Sequence, residues 1–255
     1  MADTLLKLAR LHDGPEIFHS LQGEGISSGV PSVFVRASLC NLHCRWCDTD
    51  YTWNWEGTPW EHERDQEPGY QKFRRDDTLI EIPARQVAEK VASFSCLRVI
   101  LTGGEPLLQD KAWQTMIQHL QEKNPAYRFE VETNGTITPS ADLDAQIHQY
   151  NVSPKLENSG NSASIRCHAE TLAFFAQSPK AWFKFVISSS EDLAEVDTII
   201  STHAIPQSRV LLMPEGRDEP TLQQRRLWLA DVCRDRNFRY SDRLHIQLWG
   251  SQRGV

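Results

Sequence analysis

Apolar and polar positions along this chain alternate between two rhythms. Short runs rich in β-branched and aromatic residues read as buried strands, and longer stretches with an apolar residue every third or fourth position read as helices. The first clear run, Ser32-Val33-Phe34-Val35-Arg36-Ala37-Ser38-Leu39, predicts a buried strand. From Pro83 onward the order becomes regular. A helix over Pro83–Phe94 precedes a strand over Leu97–Leu101, a helix near Lys111–Lys123 precedes Arg128–Glu132, and a short helix around Ala141–His148 precedes Tyr150–Val152. After a polar loop, Asn158–Ser164, a helix over Ala169–Ala176 leads to strand Trp182–Ile187. A helix through Leu193–Ser201 leads to strand Arg209–Leu212, and a helix ending near Arg236 leads to a last strand, Leu244–Trp249, with His245, Gln247 and Trp249 on one face. Ser188 with Glu191, and Thr221 with Gln224, have capping-box spacing at two of these helix starts.

Repeated strand-helix-strand order predicts a parallel sheet with right-handed crossovers. About six such strands fall short of a closed eight-stranded barrel, so the expected fold is α/β: an open, partial (β/α) barrel plus a C-terminal strand. A chain of 255 residues can bury one core of this kind, and residues 1–255 read as a single domain. Two stretches break the rhythm. The segment Met1–Asp13 reads as a tail, and the region from Tyr51 to about Pro83 reads as an irregular insertion. Trp53, Trp55 and Trp60 lie in that insertion among Gly57, Pro59, Pro68 and Gly69, a composition that fits a lid or a solvated excursion.

Hydrophobic residues make up 40% of the chain and charged residues 24%, which excludes disordered and collagen-like classes. No apolar run approaches the roughly 20 residues of a membrane span. Met1–Asp13 lacks the apolar core of a signal peptide, so a cytoplasmic protein is expected. A formal net charge of −7 argues against a nucleic-acid partner.

The chemistry gathers where predicted strands end. Directly after the first strand, Cys40, Cys44 and Cys47 carry three thiols at spacings of four and three. Three are too few for a closed structural zinc site, which takes four ligands, and on an iron-sulfur cube they leave one iron open. A zinc knuckle completed by His43, or three unrelated thiols, are the competing readings. Cys96, Cys167 and Cys233 are scattered singly and read as core or surface thiols. Gln22-Gly23-Glu24-Gly25 and Thr102-Gly103-Gly104-Glu105-Pro106 place glycines where backbone can approach a ligand closely, although an ordinary glycine turn reads the same way. Glu132-Thr133-Asn134-Gly135, Ser153-Pro154-Lys155 and Met213-Pro214-Glu215-Gly216 end later strands. In α/β folds such ends line one cleft.

The CxxxCxxC spacing, with Trp46 just before its third cysteine and a Gly-Gly-Glu-Pro turn one strand later, resembles the radical S-adenosylmethionine (SAM) enzymes. That resemblance implies a [4Fe-4S] cluster whose open iron chelates SAM and yields a 5'-deoxyadenosyl radical. From Glu16 to Val255 the chain more narrowly resembles the 7-carboxy-7-deazaguanine synthase family. The match rests on Ser20–Gly25, Cys47-Asp48-Thr49, Ser153-Pro154-Lys155 and the ending Leu248–Val255. The resemblance implies conversion of 6-carboxy-5,6,7,8-tetrahydropterin to 7-carboxy-7-deazaguanine with loss of ammonia, a step toward queuosine in tRNA. It assigns the cluster to Cys40, Cys44 and Cys47, and Mg2+ to Thr49. It assigns SAM to Trp46, Cys47, Asp48, Gly104, Ser153, Pro154, Lys155 and the Met213, Pro214, Glu215, Gly216 loop. Leu21, Gln22, Gly23, Arg36, Thr102 and the Val255 carboxylate fall to the pterin, with a strand-end salt bridge as the alternative for Arg36. A homodimer and a flavodoxin-like electron donor are also implied. A glycyl-radical-enzyme activase shares the cysteine spacing, and a non-catalytic iron-sulfur module is a third reading. The Leu21–Gly25 stretch and the Arg253-Gly254-Val255 ending favour the synthase.

Overall fold

The computed structural model describes residues 4–255. The chain opens with four strands, β1 (Leu5–Leu11), β2 (Gly14–Pro15), β3 (Ile17–Leu21) and β4 (Pro31–Ala37). After the cysteine loop come a short helix α1 (Arg75–Thr78), strand β5 (Leu79–Pro83), helix α2 (Ala84–Ala92) and strand β6 (Arg98–Gly103). Regular alternation follows with α3 (Asp110–Lys123), β7 (Arg128–Thr133), α4 (Ala141–Gln146) and β8 (Gln149–Val152). Helices α5 (Ala163–Arg166) and α6 (Ala169–Gln177) lead to β9 (Ala181–Ile187), and α7 (Asp192–Thr202) leads to β10 (Val210–Pro214). The chain ends with α8 (Glu219–Arg236), β11 (Arg239–Tyr240) and α9 (Leu244–Trp249).

Among the described residues all eleven strands join one sheet, ordered β11-β10-β9-β8-β7-β6-β4-β1-β2, with β3 on β4 and β5 on β1. From β4 to β11 every neighbouring pair is parallel, so six full strands and the two-residue β11 form the open barrel wall. The expected count holds. These strands are buried along nearly their whole length, as in β10, where all five residues are buried. In a (β/α) barrel the crossover helices cover the outer face of such strands, and the inner face packs within the barrel. Helix α3 shows the matching helical signal: Ala112, Trp113, Met116, Ile117 and Leu120 lie on one buried stripe.

Four details differ from the sequence reading. Leu244–Trp249 is the helix α9, and the C-terminal strand is Arg239–Tyr240 instead. A register beside β10 is available immediately after α8, and β11 fills it before the chain reaches Leu244. The apparent alternation in Leu244–Trp249 has no sheet edge to serve, and Ile246 is the one residue it buries. Second, within the segment read as a tail, whose residues 1–3 lie outside the described residues, Leu5–Leu11 forms β1, which pairs antiparallel with β5 from Leu5↔Pro83 to Ala9↔Leu79. The irregular insertion therefore ends at Thr78, five residues earlier than expected. Third, neither capping box forms. The Asp192 carboxylate accepts the Ser188 and Ser189 N–H groups at 2.7 and 3.0 Å, and Asp218 caps α8 by accepting from Thr221 N at 2.9 Å. A carboxylate is the stronger acceptor, and Pro220 suits the first turn beyond it. Last, the polar loop Asn158–Ser164 holds a 3-10 turn and the start of α5.

Trp113 ties α3 to the loop after β6: it is fully buried and its indole N–H donates to the Pro106 carbonyl at 2.7 Å. Trp113→Ala is expected to lose about 3–5 kcal/mol of stability. Urea titration checks this through a lower midpoint at unchanged slope.

Candidate active site

The motifs at the ends of the parallel strands surround one cavity of ≈ 740 Å³, a size suited to small ligands. The cysteine loop forms part of its wall. Leu39 turns the chain out of β4 with a left-handed φ of 75°, unusual for a residue with a side chain. Its backbone is held on both sides, donating N–H to Thr52 O at 3.0 Å and accepting at its carbonyl from Glu105 N at 2.8 Å. The insertion supports the loop from behind. His62 Nε2 lies 2.8 Å from Cys47 O, and its Nδ1 accepts from Arg64 N. Trp60 stacks on His43 with ring centroids 3.5 Å apart, and the buried Trp53 meets the same imidazole edge-on at 5.1 Å. The tryptophan-rich stretch is thus a buttress for the cysteine loop, not a loose excursion.

Cys40, Cys44 and Cys47 all line the cavity, and none is in a disulfide. Polar groups already face the sulfurs: Asn161 Nδ2 donates to Cys44 Sγ at 3.4 Å, Leu42 N donates to Cys40 Sγ at 3.5 Å, and the Thr49 hydroxyl pairs with Cys47 Sγ at 3.6 Å. Burial pushes the Cys47 thiol up to about 12 and also raises Cys40 and Cys44, so a metal must displace their protons to bind. Among the described residues no three His, Cys, Asp or Glu side chains converge on a single ion. Three thiols on one cavity wall are a donor set that an iron-sulfur cluster can use, each thiolate meeting its own iron.

The Gly103-Gly104 pair has a packing role beside its sequence reading. A Cβ on Gly104 would stand 1.9 Å from the Leu39 carbonyl oxygen, and one on Gly103 would stand 2.2 Å from that of Ala37. These glycines make room for the backbone at the end of β4 and the start of the cysteine loop, and both also border the cavity. Glu105 is fully buried and faces away, accepting from Leu107 N at 3.0 Å, Thr133 Oγ1 at 2.9 Å and Asn134 N at 2.7 Å. Gly23 is similar. A Cβ there would lie 2.2 Å from Nδ1 of His245, which α9 turns toward the cavity.

The structure gathers nearly every residue the sequence singled out. Leu21, Gln22, Gly23, Arg36, Thr102 and Val255 line the cavity, as do Trp46, Asp48, Thr49, Ser153, Lys155 and Met213–Gly216. Pro154 is absent from the lining. Gln22 Nε2 and Thr102 Oγ1 both donate to Glu132, at 2.9 and 2.6 Å. Trp46 donates its indole N–H to the Asn158 carbonyl at 3.1 Å, and Lys155 Nζ lies 3.0 Å from Ser153 Oγ. Thr49 caps no helix with its side chain.

The radical SAM superfamily pattern matches residues 35–152. The chain is 39% identical over 246 residues to the 7-carboxy-7-deazaguanine synthase of Pyrobaculum aerophilum, spanning 94% of this chain and 95% of the relative. The same-named protein of Halobacterium salinarum is 34% identical over 263 residues, spanning 93% and 92%. The chain belongs to the 7-carboxy-7-deazaguanine synthase family of radical SAM enzymes. A crystal structure of QueE from Escherichia coli shares the fold with a TM-score of 0.65 at 21% identity, covering 94% of this chain and 95% of that one.

Against the family's expected ligand positions, sequence reasoning passed over the charged residues behind them. Arg36 donates from Nε to Glu16 Oε1 at 2.8 Å, so the strand-end salt bridge is real. Glu16 is fully buried and its other oxygen receives Arg253. The Arg253 guanidinium lies flat on the Tyr51 ring, 3.6 Å from its centroid, and also donates to Arg10 O at 2.8 Å. Through this pair Glu16 holds both Arg36 and the C-terminal segment. Lys184, on the otherwise apolar β9, points inward to Glu24, and Arg243 meets Glu24 and Asp48. A lysine inside Ala181-Trp182-Phe183-Lys184-Phe185-Val186-Ile187 was the one local signal available for that network.

Burial alone would raise the Glu16 carboxyl, but Arg36 and Arg253 outweigh it and hold the group below its usual range. A carboxylate depressed in this way stabilises the fold above its unfolded value, near 4.5, and loses that contribution as pH falls through the folded value. Glu16→Gln is therefore expected to cost about 3–5 kcal/mol at pH 7, where it strands two cations. Denaturation midpoints should show the gap to wild type narrowing below about pH 4.5. Gly104→Ala should lose about 1–3 kcal/mol through overpacking against Leu39 and lower the iron bound after anaerobic reconstitution. Wild-type iron content in this variant would remove the glycine's assigned role.

Proposed function

We propose that this chain converts 6-carboxy-5,6,7,8-tetrahydropterin into 7-carboxy-7-deazaguanine with loss of ammonia. The observation that carries this reading is the single cavity that joins the three cysteines to the residues expected for SAM and for the pterin. In this reading Cys40, Cys44 and Cys47 hold a [4Fe-4S] cluster, which with SAM supplies the initiating radical when both are bound. Trp46, Asp48, Gly104, Ser153, Lys155 and Met213–Gly216 bind SAM, with Pro154 shaping the turn between two of them. Gln22 and Thr102, both oriented by Glu132, present hydrogen-bonding groups to the pterin ring. Arg36 has its Nε on Glu16, leaving the terminal nitrogens of its fork for the substrate carboxylate. Leu21 and Gly23 shape the same wall, and the Val255 carboxylate borders the substrate.

Thr49 is the proposed Mg2+ ligand. Mg2+ needs few protein oxygens because it keeps waters and substrate atoms in its shell. The Thr49 hydroxyl, which forms no side-chain cap, fits that role. No helix among the described residues is long and apolar enough to cross a membrane. We propose further a single-domain enzyme of the cytoplasm, as chain length and the lack of a signal-peptide pattern suggest, acting as a homodimer and reduced by a flavodoxin-like donor, as the family resemblance suggests.

The test is an anaerobic assay of reconstituted, untagged protein with SAM, reductant, Mg2+ and the tetrahydropterin, with products followed by mass spectrometry. Formation of 7-carboxy-7-deazaguanine is expected, together with complete loss of cluster and turnover in Cys44→Ala. SAM cleavage without the deazapurine would leave a radical SAM enzyme of another specificity and reject this substrate.

A further inference from the structure

Arg243 belongs to neither group of expected ligand residues, yet it joins them. Its side chain is 8% exposed and contacts three segments that meet only in the folded chain. Nη2 pairs with Asp48, next to the last cysteine, and Nη1 donates to the Gly216 carbonyl in the loop after β10. Nε donates to Glu24 Oε1 at 3.0 Å, two residues beyond Gln22. The first two partners lie on the side read as the SAM half, and Glu24 lies in the turn read as the pterin half. Glu24 is fixed from the other side by Lys184, so the chain Asp48–Arg243–Glu24–Lys184 alternates in sign and balances in charge. Burial opposes the Glu24 charge, but Lys184 and Arg243 hold its carboxyl well below the usual range.

We propose that Arg243 is a positioning residue that couples the two halves of the cavity, so that occupancy of one ligand site strengthens binding at the other. The inference rests on the functional reading above. A fork of five N–H donors can satisfy three acceptors at fixed angles, whereas a lysine ammonium is a point charge that meets fewer. A ligand that draws on Asp48 or the Gly216 loop therefore shifts the guanidinium's hold on Glu24 and the Gln22-Gly23 turn. Each ligand bound first leaves the other a better-ordered site, and the coupling must be reciprocal.

The experiment measures binding, not turnover. Reconstituted holoenzyme is titrated anaerobically with S-adenosylhomocysteine in the absence and presence of the tetrahydropterin, and the reverse, for wild type, Arg243→Lys and Glu24→Gln. Wild type is expected to show mutual tightening of about tenfold, within the range common for coupled sites. In Arg243→Lys the tightening should fall below about twofold while iron content stays at the wild-type level. If that variant fails to fold, Glu24→Gln decides, because it cuts the same link from the pterin side and should give the same loss. Retention of the wild-type coupling factor in a folded variant, even with both affinities weakened, makes Arg243 a purely structural residue and overturns the proposal. Wild-type binding of both ligands without coupling overturns it as well. Binding of S-adenosylhomocysteine with no binding of the pterin overturns the synthase reading, and this inference with it.

Discussion

The site depends on one steric constraint, the crossing of two backbones where β4 and β6 end. β4 runs into Leu39 and the cysteine loop, while β6 runs into Gly103-Gly104. The two segments share space that admits no side chain, since a Cβ on Gly104 would sit 1.9 Å from the Leu39 oxygen. Close approach lets Gly104 N donate to Ala37 O at 3.1 Å and Glu105 N to Leu39 O at 2.8 Å. The left-handed Leu39 and the two glycines are one device. It stores local strain, of the order of 1–2 kcal/mol at Leu39, and releases the cysteines toward the cavity. Glu105 then passes the constraint on, since its buried carboxylate binds the end of β7 through Thr133 and Asn134. Three successive strand ends are thereby set relative to one another.

Around this frame the cavity wall combines apolar side chains such as Phe18, Phe34 and Trp53 with networks of buried charge. Glu16 is shared by Arg36 and Arg253, and Glu24 is shared by Lys184 and Arg243. Burying such groups costs desolvation that their mutual attraction offsets only when geometry is good, so these networks contribute little net stability. Their product is orientation. Each shared carboxylate fixes two cations that would otherwise repel, and each cation carries a piece of the chain far from the strand it meets. The C-terminal segment, which has few apolar contacts to hold it, is placed this way through Arg253 and Arg243.

Much of the fold was legible in the sequence because its signals are local. Strand and helix rhythms from Val99 to Met213 matched the observed elements to within about two residues, the usual uncertainty of helix and strand ends. Errors fell where a local pattern had two uses. Leu244-His245-Ile246-Gln247-Leu248-Trp249 alternates like a strand, but the neighbouring register was already filled by Arg239–Tyr240. Leu5–Leu11 became a strand only because Leu79–Pro83 returns to pair with it. Both outcomes turn on which edge is free, a property of the assembled sheet.

The sequence by itself determined the thiol pattern of the cysteine loop, through the spacing of Cys40, Cys44 and Cys47, and the placement of polar motifs at strand ends. Those features are set by neighbours a few residues apart, where covalent geometry limits what the chain can do. Tertiary structure alone decided that Gly104 serves the cysteine loop, that Trp60 braces His43, and that Arg36 shares Glu16 with Arg253. It also brought Arg243 to Glu24 across 219 residues of chain. No periodicity encodes such pairs, because contact between distant side chains follows from sheet order and from the desolvation of charge that folding imposes.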